Sequence, residues 1–165
     1  MLERLRTYWS QHFEQEAGQD AEAQLKAALF RLSADLAAAP DEKDVCQRVV
    51  AGLHDTLGYD FVAFFLVEEI SGDRVMAACV GFVDPPKRLK AGQGLSEFAF
   101  LEGQLRYTPD VNQEPDYFYG MGGSEVDVPV RIGGEVGGVL IAESKKHADF
   151  DSKDCEILTA ASQQA

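Results

Sequence analysis

The run "FVAFFLV", Phe61 to Val67, is apolar at all seven positions. A strand with one face in water alternates apolar and polar residues; an unbroken apolar run of this length belongs to a strand covered on both faces. It therefore demands a sheet with a packed layer on each side. "SGD" at 71–73 supplies a turn, and Arg74 to Phe82 returns as the partner strand of a hairpin. A second hairpin follows further on. Val126, Val128, Val130 and Ile132 alternate with Asp127, Pro129 and Arg131, the pattern of a half-buried strand. Pro129 cannot donate to a ladder and marks an edge position or a bulge. Gly133-Gly134 stands where a tight hairpin needs positive φ. Gly137-Gly138 lies inside the returning strand "EVGGVLIAE" and marks a close approach, which we assign to a packed helix. Neither pair sits between a strand and a helix start, so neither is a phosphate cradle.

Helices account for much of the rest. Residues 1–39 read as helical, with a break expected near Gly18. Leu2, Leu5, Trp9 and Phe13 share one face; Leu25, Leu29, Leu32 and Leu36 share another, spaced 4, 3, 4. That spacing fits a dimer seam or packing on the chain's own domain, and both readings stand at this point. Asp41 caps a second helix carrying Val45, Val49, Leu53 and Leu57 at four-residue intervals, with Gly58 as its stop. His54 lies beside that face and reads as structural. A short helix is expected over Leu95–Leu101. After it comes a loop-rich stretch with Tyr107, Tyr117, Phe118 and Tyr119, too aromatic for a plain linker. The final helix is capped by Asp151 or Ser152 and ends without a closing signal.

Length and charge narrow the function classes. The 165 residues suit about one domain. With 15 basic against 28 acidic residues the formal net charge is −13, which repels phosphate backbones and anionic lipid, so no nucleic-acid or membrane partner is expected. No run approaches the ~20 apolar residues of a membrane span, and the N-terminus lacks a secretory signal; a cytoplasmic protein is expected. Cys46, Cys79 and Cys155 are widely separated in apolar surroundings, forming neither a disulfide framework nor a metal pair.

The order helix, hairpin, helix and aromatic loop, hairpin, helix resembles a GAF domain, a sensory module related in shape to PAS domains. Three segments carry the resemblance: "DEKDVCQRVVAGLHDTLGYDFVAFFLVEE", "AGQGLSEFAFLEGQLRYTPDVNQEPDY" and "SEVDVPVRIGGEVGGVLIAESKKHADFDSKDCEIL". It implies an α+β fold, a central antiparallel sheet flanked by helices, with residues 1–39 as a helical extension and 40–165 as the domain. Cyclic-nucleotide-binding members carry an Asn-Lys…Phe-x-x-x-Asp-Glu pattern; Ser144, Lys145, Phe150, Asp154 and Cys155 match it only in part. Members that reduce free methionine-(R)-sulfoxide match at Ser124-Glu125, and Glu143 stands where they have an acidic residue. Their Gly-Val-Cys-Gly appears here as Gly94-Leu95-Ser96-Glu97, and no cysteine occurs between Val80 and Asp154. A thiol-based reductase is therefore not expected, nor a bilin carrier, since its thioether cysteine is missing.

The resemblance thus implies a non-catalytic sensory or regulatory domain, not an enzyme, that binds a small molecule, dimerises through its terminal helices, or does both while acting on an output domain or partner. Its alternative is a dimerisation module without ligand. The expected pocket lies between the sheet and residues 83–123, with Phe98, Tyr107, Tyr117 and Tyr119 as walls and Asp110, Ser124 and Glu125 as polar contacts. No cofactor is specified.

Overall fold

The computed structural model describes residues 2–165, with side chains described from residue 18 onward. The chain begins with one helix, α1 (Leu2–Ala37), followed by α2 (Glu42–Asp55). Next come β1 (Phe61–Val67), β2 (Arg74–Val80) and β3 (Arg88–Leu89), then α3 (Ser96–Glu102) and β4 (Arg106–Thr108). A 3-10 turn at Val111–Gln113 leads to β5 (Ser124–Ile132), β6 (Glu135–Ser144) and α4 (Ser152–Gln164). The strands form one sheet in the order β3-β2-β1-β6-β5-β4, and every pair is antiparallel.

The apolar run that opened the sequence reading is β1, placed between β2 and β6. Val62 and Phe64 point to one face, into a core shared with Leu53 of α2, Leu158 of α4 and Leu32 and Leu36 of α1. Ala63 and Phe65 point to the other, where they meet Leu89, Ala99 of α3, Val139 and Ile141. Both faces are covered, which is why no polar residue interrupts the strand.

The helix starts follow local chemistry. Asp41 accepts from the Asp44 N–H at 2.9 Å and caps α2. Asp151 and Asp154 form a reciprocal capping box at the start of α4. His54 Nδ1 is hydrogen-bonded to the Tyr59 carbonyl at 2.8 Å, the structural role expected of it.

Two expectations are corrected. α1 runs through Gly18 without a break; a single glycine costs about 1 kcal/mol in a helix interior and does not by itself end one. The close approach at Gly137-Gly138 is made by strand backbone and by Ile132 rather than by a helix. A Cβ on Gly138 would lie 2.9 Å from the Phe65 carbonyl oxygen, and one on Gly137 would lie 2.8 Å from Ile132. Of the leucines at 25–36, Leu32 and Leu36 are buried against α2 and α4, Leu25 and Leu29 are half-buried, and Phe30 on another face is exposed. The face formed by Leu2, Leu5, Trp9 and Phe13 lies outside the side chains described. Among the described residues no helix is long and apolar enough to cross a membrane.

Pro129 behaves as the sequence requires. β4 pairs only with Glu125, Val126 and Asp127, so at Pro129 strand β5 has its one neighbour in β6 and a missing N–H is tolerated. Gly133 and Gly134 turn the hairpin with φ of 62° and 96°.

Candidate functional site

A small cavity, open to solvent at its mouth, lies on the α3 face of the sheet. Its floor is built from Ala63 and Phe65 of β1, Met76 of β2 and Ile141 of β6; Leu89, Leu95 and Ser96 close one end, and Phe82, Tyr117, Phe118 and Tyr119 the other. Five of the lining side chains are aromatic, and the two charged ones are Glu125 and Glu143. An apolar cavity with few polar groups is the usual form of a small-molecule site.

The carboxylates are placed by strand register. Glu125 of β5 stands directly opposite Glu143 of β6, and Asp127 follows two residues along on the same face. All three are buried. Like charges opposite one another in a ladder destabilise a sheet, so this pair is not a folding device. Neutral-pH ionisation of all three is resisted. Burial pushes Glu143 up to about 7, and nearby Asp127 adds to this while the Met121 N–H opposes it. Burial likewise pushes Asp127 up to about 6, against the pull of Glu125, Arg106 and Arg74. Glu125, between the two, is raised well above the usual carboxylate range, first by burial and then by its two acidic neighbours. Neither Asp127 oxygen has a hydrogen-bond donor, and the buried Ser96 Oγ also lacks a partner. The cluster can hold a proton near neutrality or receive a cation. Among the described residues no group of three or more His, Cys, Asp or Glu is disposed to hold a metal ion.

The wall that carries the tyrosines is fastened to the same carboxylate. The Met121 N–H donates to Glu143 at 2.6 Å, the Tyr117 hydroxyl stands 3.5 Å from it, and the Gly122 N–H donates to that hydroxyl at 2.9 Å. Tyr119 donates to the Val83 carbonyl and closes the strap over the mouth. Gly120 is needed here, since a Cβ would meet the Glu143 carboxylate at 2.1 Å. At the opposite end, fully buried Arg74 is paired with Glu97 and donates to the carbonyls of Lys90 and Gln93, and Asp73 accepts from the Ala91 N–H at 3.0 Å. These bonds hold the segment that presents Leu95 and Ser96.

The structure brings Tyr117, Tyr119 and Glu125 together in the cavity wall, and separates the other four expected site residues from it. Tyr107 pairs with Val126 and points to the opposite face, edge-on to Phe150. Phe98 lies on the outer side of α3 beneath the Arg106 guanidinium. Asp110 caps the 3-10 turn and faces His147. The Ser124 hydroxyl donates to the Lys146 carbonyl at 2.8 Å and ties down the loop after β6. Glu143, Ser96, Phe65, Phe82 and Phe118 were not among the expected site residues. The partial cyclic-nucleotide pattern is taken up structurally: Ser144 binds Asp149, Phe150 packs in the helix-side core, and Asp154 accepts from Tyr59 and completes the α4 cap. The three cysteines are free thiols; burial pushes Cys46 up to about 11, and Cys79 packs on the cavity side of the sheet.

Comparison with known proteins places these features. The free methionine-R-sulfoxide reductase of Neisseria meningitidis, solved with its substrate, is 27% identical with a TM-score of 0.78, over 85% of this chain and 84% of that one. The type II enzyme of Thermoplasma acidophilum is 28% identical with a TM-score of 0.66, over 74% and 91%. The GAF domain of an Acinetobacter phosphoenolpyruvate-protein phosphotransferase, 19% identical with a TM-score of 0.75 over 84% and 87%, shares the fold. No match was found among curated proteins. The expectation that the chain is not an enzyme is overturned by the first two similarities, which are to enzymes and extend over most of its length. The GAF family model matches residues 41–165, and the chain belongs to the GAF domain family.

Proposed function

We propose that this GAF domain binds a small organic molecule through a protonated amine, seated against Glu125 and Glu143 with its apolar part among the aromatic walls. The observation that carries the reading is the facing glutamate pair at the base of an otherwise apolar cavity. Two carboxyls forced together in a sheet are unfavourable alone, and a cation between them relieves the conflict. Aromatic faces add cation–π attraction for the same charge. The similarity to enzymes acting on free methionine-R-sulfoxide, a compound with an amine, supports the same ligand class.

Isothermal titration with methionine-R-sulfoxide and with 3-(methylsulfinyl)propylamine, two amines of similar length, tests it. We expect saturable binding, weakened about tenfold or more by Glu143→Gln, which keeps the shape and removes the charge; about tenfold corresponds to roughly 1.4 kcal/mol. A folded Glu143→Gln protein that binds both amines as wild type does would sink the reading.

A further inference from the structure

We propose that Asp127 acts on the cation site from behind as a positioning residue: it shares a proton with Glu125, so that a ligand's ammonium enters in exchange for a proton. The inference rests on the amine reading above and deepens it. Strand register sets Glu143 opposite Glu125 and puts Asp127 two residues along the same face of β5. Glu125 and Glu143 line the cavity; Asp127, fully buried, does not reach it. The Glu125 carboxyl lies within hydrogen-bonding reach of both the others. Two carboxylates in such contact repel, whereas a carboxyl and a carboxylate share a hydrogen bond, so the row holds at least one proton. That proton belongs between Glu125 and Asp127. Glu143 already accepts from the Met121 N–H and faces the Tyr117 hydroxyl, but neither Asp127 oxygen has any other donor. The groups around Asp127 do not supply one. Arg106 stands across the β4–β5 ladder but is committed to Glu114 at 2.6 Å, and Arg74 of β2 is committed to Glu97 of α3. On the β6 side Asp127 pairs with apolar Ile141, and buried Ala99 of α3 packs on the same face. Both arginines still favour its ionised form, so before binding the proton sits chiefly on Glu125. An arriving ammonium needs negative charge on the two lining glutamates. The row supplies it by releasing one proton to solvent and moving any that remains onto Asp127, the carboxyl farthest from the cation.

Calorimetric titration of methionine-R-sulfoxide and 3-(methylsulfinyl)propylamine from about pH 5.5 to 8, in buffers of different ionisation heat, counts the protons exchanged on binding. Because the free site holds more protons than the occupied one, affinity should rise with pH by up to about tenfold per unit, with roughly one proton released per ligand near neutrality. Asp127→Asn keeps the shape and removes an acidic neighbour from each glutamate; it should move the rise about one pH unit toward acid and lower the proton count. A change in packing alone would alter affinity equally at every pH. The wild-type proton count needs no variant and tests the exchange by itself. Binding without proton release, or an Asp127→Asn profile that coincides with that of wild type, overturns the inference and leaves the amine reading in place. Binding of neither amine at millimolar concentration takes both down.

Discussion

Glu125 and Glu143 face each other in a ladder that would be more stable with almost any other pair, and their environment makes the cost depend on pH. Glu143 is raised from an ordinary value of 4.5 to about 7 in the folded chain. Asp127 is raised from 3.8 to about 6, and Glu125 also lies above its ordinary range. A raised carboxyl binds more protons folded than unfolded, so its contribution is fully present below the unfolded value and is lost as pH rises through the folded one. Glu68, Asp73, Asp110 and Asp151 are shifted the other way by their hydrogen-bond partners, and what they contribute is lost only in acid. Stability of the ligand-free chain should therefore be greatest in mildly acid solution and fall from about pH 5 to 8, by at most about 1.4 kcal/mol per pH unit for each proton concerned. Urea unfolding at a series of pH values reads this directly. Glu143→Gln should flatten the profile; a wild-type profile that rises over this interval would refute the assignment of strain to the cluster.

The β5–β6 hairpin decides whether a site exists at all. Near the turn, Ile132 pairs with Glu135 and Arg131 with Val136; beyond it, Val130 pairs with Gly138, leaving Gly137 as an extra residue on β6. Without that bulge the turn would set Glu125 opposite Ala142, and Glu143 would point to the other face of the sheet, because a one-residue slip exchanges faces. Much of this hairpin was legible in the sequence. The alternation of Val126 to Ile132 gave the strand, Gly133-Gly134 gave the turn, and Pro129 signalled an edge or bulge nearby. The bulge itself was not legible, since the glycine pair that permits it also fits a packed helix. Tyr107 went astray for a related reason: β4 is a three-residue strand inside a loop-like segment, and only its pairing with β5 shows that its middle residue faces the helices. Tyr117 and Tyr119, with no strand to fix them, depended on Glu143 and the Val83 carbonyl for their placement. At element scale the packing also makes a prediction. Gly138→Ala would put a methyl 2.9 Å from the Phe65 carbonyl oxygen and 3.0 Å from the Phe64 ring, with backbone that has little room to yield. We expect a loss of about 1–3 kcal/mol by chemical denaturation. Gly134→Asn at the exposed turn should cost less, since asparagine tolerates positive φ.

Taken as a whole, the molecule is an anion, and its field acts on ligands before any contact forms. The formal charge of −13 arises from 28 acidic and 15 basic residues, with Glu125 and Glu143 of the cavity counted among the acidic ones. Such a field concentrates small cations at the surface and speeds their encounter, while added salt removes the advantage once charges lie more than a Debye length apart, about 8 Å at physiological ionic strength. The same field opposes the approach of anions such as nucleic acid and lipid phosphate, so the expectation drawn from composition and the proposed amine at the site rest on one electrostatic argument. Contacts within the cavity are shielded from salt far better than the approach to it. The association rate of 3-(methylsulfinyl)propylamine should therefore fall severalfold between about 10 mM and 500 mM salt, with the dissociation rate changing much less. Stopped-flow measurement of tyrosine fluorescence follows both rates, since Tyr117 and Tyr119 line the cavity. An association rate indifferent to salt would mean that the cation is recognised only after it has entered, and that the charge of the chain serves solubility alone.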